Sequence, residues 1–181
     1  MGRAVALLRG INVGGRNGVA MADLRAIFED LGHRRIETYL QSGNVVFEAT
    51  GAPASLPGTI RRRITNDLGL DVPVAVRTGA DLQKIFTTNP FLADGADPTT
   101  LHVVFAVGRA ASGALGDLAP ERFSPDRFAH RGREIYLQCP NGYGRTKLTN
   151  AFFESRLGPA AGATTTRNWN TVTRLAELSK D

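Results

Sequence analysis

The order in which strand-like and helix-like segments follow one another constrains the fold of this chain more than any other feature of its sequence. Short apolar or β-branched segments, typical of strands, occur in the first half at residues 5–8, 36–40, 45–47 and 72–76. Longer segments with apolar residues at helical spacing lie at residues 22–31 and 55–68. The first half therefore has the predicted order strand, helix, strand, strand, helix, strand.

The same order recurs in the second half. Strands are predicted there at residues 101–107, 127–130, 134–139 and 163–169. A short helix containing Leu115 and Leu118 and a longer helix that begins at Thr146 supply the two helices. A connecting helix around residues 82–86 joins the halves, and a terminal helix begins near Thr171. The halves share too little sequence identity to indicate a repeat, so only the order of elements is duplicated.

This order favours a four-stranded antiparallel sheet with both helices on one face and the strand order 4-1-3-2. Pro73 indicates an edge strand, and the mostly apolar first strand of each half indicates a central one. The predicted fold class is α+β, with two tandem ferredoxin-like (β-α-β-β-α-β) units, each an antiparallel sheet with helices on one face. Residues 1–78 are predicted to form the first unit, residues 79–99 a connecting helix and linker, and residues 100–181 the second unit with its C-terminal helix.

A first polar cluster is expected at one end of the first sheet. In the predicted topology, the loop after the first strand and the turn between the second and third strands lie at the same end. The polar residues of this loop and turn are Arg9, Asn12, Arg16, Asn17, Gln41, Ser42 and Asn44. The glycines nearby do not match the dinucleotide-binding fingerprint, and relief of strain at a strand-to-helix turn explains them equally well.

A second polar cluster is expected in the second half, where the loop after the third strand approaches the exit of the fourth. Two strand spacings, about 10 Å, separate these segments in the predicted sheet. The candidate residues for binding an anion there are Gly142, Gly144, Arg145, Thr146, Lys147, Arg167, Asn168 and Asn170. The sequence therefore predicts that residues 141–147 and 167–170 meet.

The chemistry of the second cluster favours an anion. Gly142 and Gly144 permit the backbone angles of an anion-binding nest, and Thr146 is expected to begin a helix with unpaired N-terminal amides. Arg145 and Lys147 add positive charge beside them. In the alternative interpretation the glycines only form a tight turn and the two cations are solvated. The spacing of a phosphate-binding Walker loop is absent.

The overall composition limits the classes of partner. Lys and Arg total 22 against 17 Asp and Glu, and this excess of five is small for a protein that binds nucleic acid. The aromatic pattern by which some sheets of this kind bind RNA is mostly missing. No apolar segment is long enough to span a membrane. A membrane is therefore not expected as a partner, and the oligomeric state stays open. A nucleotide or nucleic acid is the expected type of partner because of the second polar cluster and not because of the composition.

The cysteine and histidine content argues against several kinds of site. The single cysteine, Cys139, excludes an intrachain disulfide, which suits a reducing compartment, and we expect a cytoplasmic protein. With three histidines besides, neither a metal site nor a cofactor is expected. Cys139 and His102 are interpreted as core residues. No catalytic residue can be assigned, and whether the protein is an enzyme stays open.

Four motifs resemble those of one bacterial family. They are LLRGINVGG at residues 7–15, QSGNVVF at 41–47, NGYGRTKLTN at 141–150 and TTRNWNTV at 165–172. Together they resemble the family named domain of unknown function 1697, and the resemblance spans nearly the whole chain. It implies paired ferredoxin-like units. It implies no established reaction, substrate or catalytic residue.

The function favoured by these patterns is a binding module for a phosphate-bearing ligand, either a nucleotide or nucleic acid. Arg145, Lys147, Arg167 and Asn170 would hold the ligand. One alternative is a small-molecule enzyme with a pocket between the two halves that uses the first polar cluster. Another is a structural or oligomeric module that binds no ligand, in which the Asn- and Gly-rich loops serve only for docking.

Overall fold

The structure, a computed structural model, describes residues 2–110 and 113–180 and forms two compact units. The first unit comprises Met1–Lys84 and Leu175–Asp181, and the second comprises Ile85–Arg174. Each unit contains one four-stranded antiparallel sheet. The predicted α+β class is therefore confirmed.

The first unit contains the strands and helices in the order expected from the sequence. They are β1 (Arg3–Leu8), α1 (Met21–Asp30), β2 (Arg34–Tyr39), β3 (Asn44–Glu48), α2 (Leu56–Leu68), β4 (Val74–Thr78) and the first part of α3 (Gly79–Thr87). The order across the sheet is β2-β3-β1-β4, with every neighbouring pair antiparallel. The strand after Pro73 thus lies at an edge, where a missing backbone donor costs little.

The core of the first unit follows from the two periodicities of its sequence. Every residue of β1 is buried, as a central strand covered on both faces requires. Alternate residues of β1, among them Ala4 and Ala6, pack with Leu24 and Phe28 of α1. Residues of α2 one turn apart join the same cluster. Both helices therefore cover one face of the first sheet.

The second unit has the same strand order. Its elements are α4 (Pro90–Ala93), β5 (Leu101–Ala106), β6 (Arg127–Arg131), β7 (Glu134–Gln138), α5 (Asn150–Leu157), β8 (Thr164–Asn168) and the first part of α6 (Trp169–Leu178). Across the sheet the order is β6-β7-β5-β8, again antiparallel throughout. A core cluster that includes Val104, Leu137 and Phe153 joins α5 to one face of this sheet.

Two helix predictions in the second unit are wrong. The segment around Leu115 and Leu118 forms turns followed by a 3-10 helix at Pro120–Phe123, because closely spaced glycines and a proline disfavour an α-helix. Both leucines are nevertheless buried in the core. Helix α5 begins at Asn150 and not at Thr146, because the side chain of Thr149 caps it by accepting a hydrogen bond from the Phe152 amide at 3.2 Å.

The division into units differs from the predicted boundaries, which place the whole C-terminal segment in the second unit. Residues 175–181 belong to the first unit, and residues 85–99 to the second. Within the first unit, the Arg3 guanidinium donates to the Leu178 carbonyl at 3.0 Å, and the Gln83 side chain donates to the Ala176 carbonyl. These bonds hold the end of the chain against β1 and α3. In the part of the chain that the structure describes, no helix has the length and apolarity needed to cross a membrane.

Candidate anion-binding site

A cavity of about 320 Å³ in the second unit brings two polar segments together. One segment begins in the 3-10 helix at Pro120–Phe123 and continues to Asp126, and the other is the loop between β7 and α5. The lining residues that carry its chemistry are Arg122, Phe123, Asp126, Asn141, Arg145 and Lys147. Two of them, Arg145 and Lys147, are residues that the sequence predicts for an anion site.

The loop after β7 is shaped by a short series of backbone hydrogen bonds. The Cys139 amide donates to the Thr100 carbonyl at 2.8 Å, and the Gly142 amide donates to the Cys139 carbonyl at 3.0 Å. Gly142 has a φ of 86°, a conformation that glycine adopts without strain. One turn of 3-10 helix, Tyr143–Arg145, follows. This turn places Arg145 at the cavity, with Lys147 two residues further on.

The opposite wall is anchored by Phe123. Its ring packs edge-on against Phe128 and Phe152, with centroids 5.7 and 5.3 Å apart. The amide of Asp126 donates to the Phe123 carbonyl at 2.8 Å, which fixes the turn between them. These contacts fix the position of the segment that carries Arg122 and Asp126, both of which line the cavity.

The electrostatics of the cavity favour a negatively charged ligand. Arg122, Arg145 and Lys147 are exposed, and within residues 2–110 and 113–180 none of them forms an ion pair with a carboxylate. Other surface arginines are paired, such as Arg61 with Asp71 at 2.5 Å. Asp126 supplies the single negative charge among the lining residues, so positive charge dominates.

The expectation that Thr146 begins a helix with unpaired amides is wrong. The Leu148 amide donates to Oγ1 of Thr146 at 3.1 Å, and Thr146 itself is buried. The amides of Arg145 and Thr146 donate to the carbonyls of Gly142 and Tyr143 at 3.1 and 3.3 Å. Because hydrogen bonds within the loop use these three donors, they are not available to an anion, and the side chains of Arg145 and Lys147 are the groups of this loop that carry positive charge.

Arg167 is predicted to lie beside Arg145 and Lys147 at the anion site, but it lies outside the cavity. Its Nη1 donates to Oγ1 of Thr165 at 2.7 Å and to the Thr166 carbonyl at 3.0 Å, and it does not line the cavity. Its side chain is buried, and this burial lowers the pKa of Arg167 to about 10. Arg167 therefore cannot join Arg145 and Lys147 at the cavity.

The other residues expected at the exit of β8 have structural contacts. Oδ1 of Asn168 accepts a hydrogen bond from the Thr171 amide at 2.9 Å, at the start of α6. Asn170 is exposed on α6, and Trp169 is buried with its ring stacked on Phe86 at a centroid distance of 5.8 Å. None of these three residues lines the cavity.

The loop after β7 does meet β8, but through a network that the sequence interpretation missed. The Tyr143 hydroxyl donates to Oγ1 of Thr166 at 3.0 Å, and Thr166 donates to Oδ1 of Asn150 at 2.8 Å. Tyr143 also stacks on His102, with ring centroids 4.9 Å apart. Burial lowers the pKa of His102. Three consecutive threonines, at residues 164–166, place a hydroxyl group on both faces of β8, so the sequence does not show which face the loop contacts.

The first polar cluster also comes together as a loop and a turn. Nδ2 of Asn12 donates to the Gln41 carbonyl at 2.8 Å and to the Val19 carbonyl at 3.0 Å, and its Oδ1 accepts from the Val19 amide at 2.8 Å. Nδ2 of Asn17 donates to the Gly10 carbonyl at 3.1 Å. These amide groups hold the loop in shape, so they are not free to bind a ligand.

Other members of the first cluster are likewise engaged or exposed. Asn44 is fully buried, and its Nδ2 donates to the Tyr39 carbonyl at 2.9 Å and to Oγ of Ser42 at 3.0 Å. The Arg9 amide donates to the Pro73 carbonyl at 3.0 Å, whereas Arg16 is exposed. The contacts of the three asparagines make the first cluster a structural junction between the loop and the turn.

Arg122 and Asp126 are the cavity residues that sequence reasoning missed. They precede the predicted loop, which begins at Asn141, by 19 and 15 residues, and they follow a segment with no recognisable motif. Only the pairing of β6 with β7 brings this segment beside the loop after β7. No local sequence pattern could have revealed that juxtaposition.

Metal binding would depend on the His, Cys, Asp and Glu side chains, and thiol chemistry on the single cysteine, Cys139. Among the described residues, no group of three or more His, Cys, Asp or Glu side chains could hold a metal ion. Cys139 is buried; this burial, together with the nearby negative charge of Asp126, raises the pKa of its thiol to about 11. A thiol with so high a pKa is protonated at neutral pH and is a poor nucleophile.

The fold and the cavity define an α+β protein with two four-stranded antiparallel sheets and a basic cavity in its second unit. Residues 1–136 match the model of a family described as a protein of unknown function (DUF1697). The chain belongs to this family, and the resemblance seen in its sequence motifs is confirmed. Arg122 and Asp126 lie within the matched residues, whereas Arg145 and Lys147 lie beyond them.

A solved structure shows a similar fold. It is described as the structure of conserved bacterial protein SP0830 from Streptococcus pneumoniae, and its chain is 22% identical to this one. The two superpose with a TM-score of 0.77, and the match covers 98% of each chain. At this level of identity the likeness concerns the fold alone. Among curated proteins, no match to this chain was found.

Proposed function

We propose that this protein is a binding module for a phosphate-bearing ligand and that the ligand binds in the cavity of the second unit. The observation that carries the proposal is the presence of three exposed cations, Arg122, Arg145 and Lys147, around one cavity without carboxylate partners among the described residues. Guanidinium groups bind phosphate through two parallel hydrogen bonds, and an ammonium group adds a point charge.

The size of the cavity favours a small ligand over a polymer. Its volume of about 320 Å³ lies at the lower end of small-molecule sites, which measure roughly 300 to 1,000 Å³. The salt dependence of binding tests for the polymer: the affinity for a nucleic acid held by three phosphate contacts would fall about 40-fold between about 50 and 200 mM salt, because bound counterions are released. A nucleotide or another small phosphate ester is therefore the favoured ligand within this class.

We also propose that each unit is a ferredoxin-like unit. The shared strand order of the two sheets and the two helices on one face of the first sheet support this assignment. In the second unit, turns and a 3-10 helix between β5 and β6 take the place of the first helix. The cytoplasmic location stays a prediction from the sequence.

The proposed function is tested by removing two of the three cations. In isothermal titration calorimetry of the full chain with methyl phosphate, we expect Arg145→Ala with Lys147→Ala to weaken binding by about 100-fold, at about tenfold for each lost contact to a charged group. The melting temperature should stay nearly unchanged, because both side chains are exposed and form no ion pair among the described residues.

A matched control distinguishes a specific site from general positive charge. Arg25→Ala with Arg62→Ala removes two exposed arginines that also lack carboxylate partners in the described part of the chain, and both lie on helices of the first unit. This control should bind methyl phosphate like the wild type. Equal loss in both double variants, or no binding by the wild type, would contradict the proposal, and the latter result would favour the alternative without a ligand.

A further inference from the structure

Asp126 is the one feature of the cavity that a site for phosphate alone does not explain. It is the single acidic residue among those that line the cavity, and its side chain is half-buried. Although three cations line the same space, Asp126 forms no ion pair with any of them in the described structure. The negative charge of Asp126 nevertheless acts on a neighbouring group, since it contributes to the raised pKa of the Cys139 thiol.

A carboxylate in such a place weakens the binding of an anion unless the ligand also gives it a hydrogen bond. An ionised carboxylate only accepts hydrogen bonds, so its natural partner is a hydroxyl or N–H group. Phosphate at neutral pH offers mainly acceptors, and like charges repel at this range. The combination of cations and one carboxylate therefore matches a ligand that carries both a phosphate and a donor.

The remaining lining residues fit the carbon part of such a ligand. Phe123 is half-buried, and its contacts with Phe128 and Phe152 hold its ring in one position against the cavity. Asn141 is exposed on the facing loop and offers both a donor and an acceptor. A hydroxylated carbon chain could contact both groups while its phosphate lies among the cations.

We propose, resting on the proposed function, that the ligand is a phosphate ester of a polyol, and that Asp126 accepts a hydrogen bond from a hydroxyl group of that polyol. Arg122, Arg145 and Lys147 hold the phosphate. Sugar phosphates and ribonucleotides share this chemistry, in which a phosphate and free hydroxyl groups lie a few bonds apart. Asp126 thus determines specificity, whereas the cations supply affinity.

The test compares two probes on the full chain by isothermal titration calorimetry. Ribose 5-phosphate carries a phosphate and hydroxyl groups, whereas methyl phosphate carries the phosphate ester without them. We expect the wild type to bind ribose 5-phosphate about tenfold more tightly than methyl phosphate, as one hydrogen bond to a charged acceptor allows. In Asp126→Asn, this preference should shrink to about twofold, because the neutral amide oxygen accepts a weaker hydrogen bond, and methyl phosphate should bind about two- to fivefold more tightly because a repelling charge is gone.

Glu121→Gln is the matched control. It removes one negative charge from the same segment, but Glu121 is exposed and does not line the cavity. This variant should keep the tenfold preference for ribose 5-phosphate. Thermal unfolding of both variants should match that of the wild type, since Asp126 has no ion pair and contributes its backbone amide to the turn.

The outcomes separate this inference from the proposed function. If the wild type binds methyl phosphate but shows no preference for ribose 5-phosphate, or if Asp126→Asn keeps the preference, the inference fails and the proposed function stands. If Asp126→Asn and Glu121→Gln change both affinities equally, Asp126 acts only through general charge, and the inference fails as well. If the wild type binds neither probe, both proposals fail.

Discussion

His33 shows how a single buried side chain ties stability to pH. It is 6% exposed, and its ring lies between Phe28 and Phe47, with centroids 5.9 and 4.7 Å away. The Thr50 amide donates to its Nδ1 at 3.2 Å, so this nitrogen carries no proton. Burial lowers the pKa of His33 below its ordinary value of 6.5.

We predict that the free energy of unfolding decreases as the pH falls below 6.5. In that range the unfolded chain binds a proton at position 33 that the folded chain does not bind, so protonation favours unfolding. Urea unfolding between about pH 7.5 and pH 5 measures this slope. The slope should become smaller in His33→Phe and stay unchanged in the control His130→Gln, because the ring of His130 lies in the turn at Gly132, whose carbonyl it contacts. An equal slope in all three proteins would contradict this assignment.

At the residue scale, the sequence predicted some cavity residues and misplaced others for one physical reason. Arg145 and Lys147 lie on a loop, where proximity to the end of the sheet was enough to predict their position. Arg167 lies on a strand, where successive side chains point to opposite faces. Its neighbour Thr166 meets Tyr143 of the loop, so Arg167 is directed to the other face of β8. Which face of β8 the loop contacts is set by the Tyr143–Thr166 hydrogen bond, and the sequence of the strand does not show it.

At the scale of elements, the loop after β1 depends on Asn12 for its connection to the turn before β3. Asn12 has a φ of 53°, and its side chain forms three hydrogen bonds that reach Val19 and Gln41. Asparagine tolerates this left-handed conformation better than most residues. The residue therefore combines a backbone requirement with a side-chain requirement.

We predict that Asn12→Ala destabilises the protein by about 2 to 4 kcal/mol, because it loses the hydrogen bonds and adds backbone strain. Asn12→Gly loses the same hydrogen bonds without that strain and should cost about 1 to 2 kcal/mol less. Urea unfolding of both variants separates the two contributions. Neither variant should change the affinity for methyl phosphate, since Asn12 lies outside the second unit. A loss of affinity without a loss of stability would instead favour a binding role for the first polar cluster.

Periodicity predicted most helices and strands correctly, but it did not fix where α5 begins, because two threonines could cap this helix. Thr146 and Thr149 are both suitable caps before the buried residues of α5, and sequence alone does not rank them. In the structure, Thr146 bonds the Leu148 amide and ends the loop, while Thr149 caps the helix. Residues 146–148 therefore lie in the loop before α5, and the Leu148 amide, expected to be unpaired at a helix start, is bonded to Thr146.

At the scale of the whole molecule, the two units repeat one plan without repeating the sequence. β4 and β8 are the fourth strands of their sheets, and each has an arginine as its fourth residue. Nη1 of Arg77 donates to the Val76 carbonyl at 2.9 Å, and Nη1 of Arg167 donates to the Thr166 carbonyl at 3.0 Å. A helix follows each strand at once. The duplicated element order in the sequence therefore corresponds to matching local detail, which identity between the halves could not reveal.

The central claim is that a phosphate-bearing ligand binds in the cavity of the second unit, and a titration of the ¹⁵N-labelled chain with methyl phosphate, followed by amide chemical shifts, tests it most directly. We predict saturable shifts confined to the two segments that line the cavity, around Arg122 to Asp126 and around Asn141 to Lys147. Shifts spread over the exposed arginines of both units, or shifts confined to the loop around Asn12, would contradict the claim.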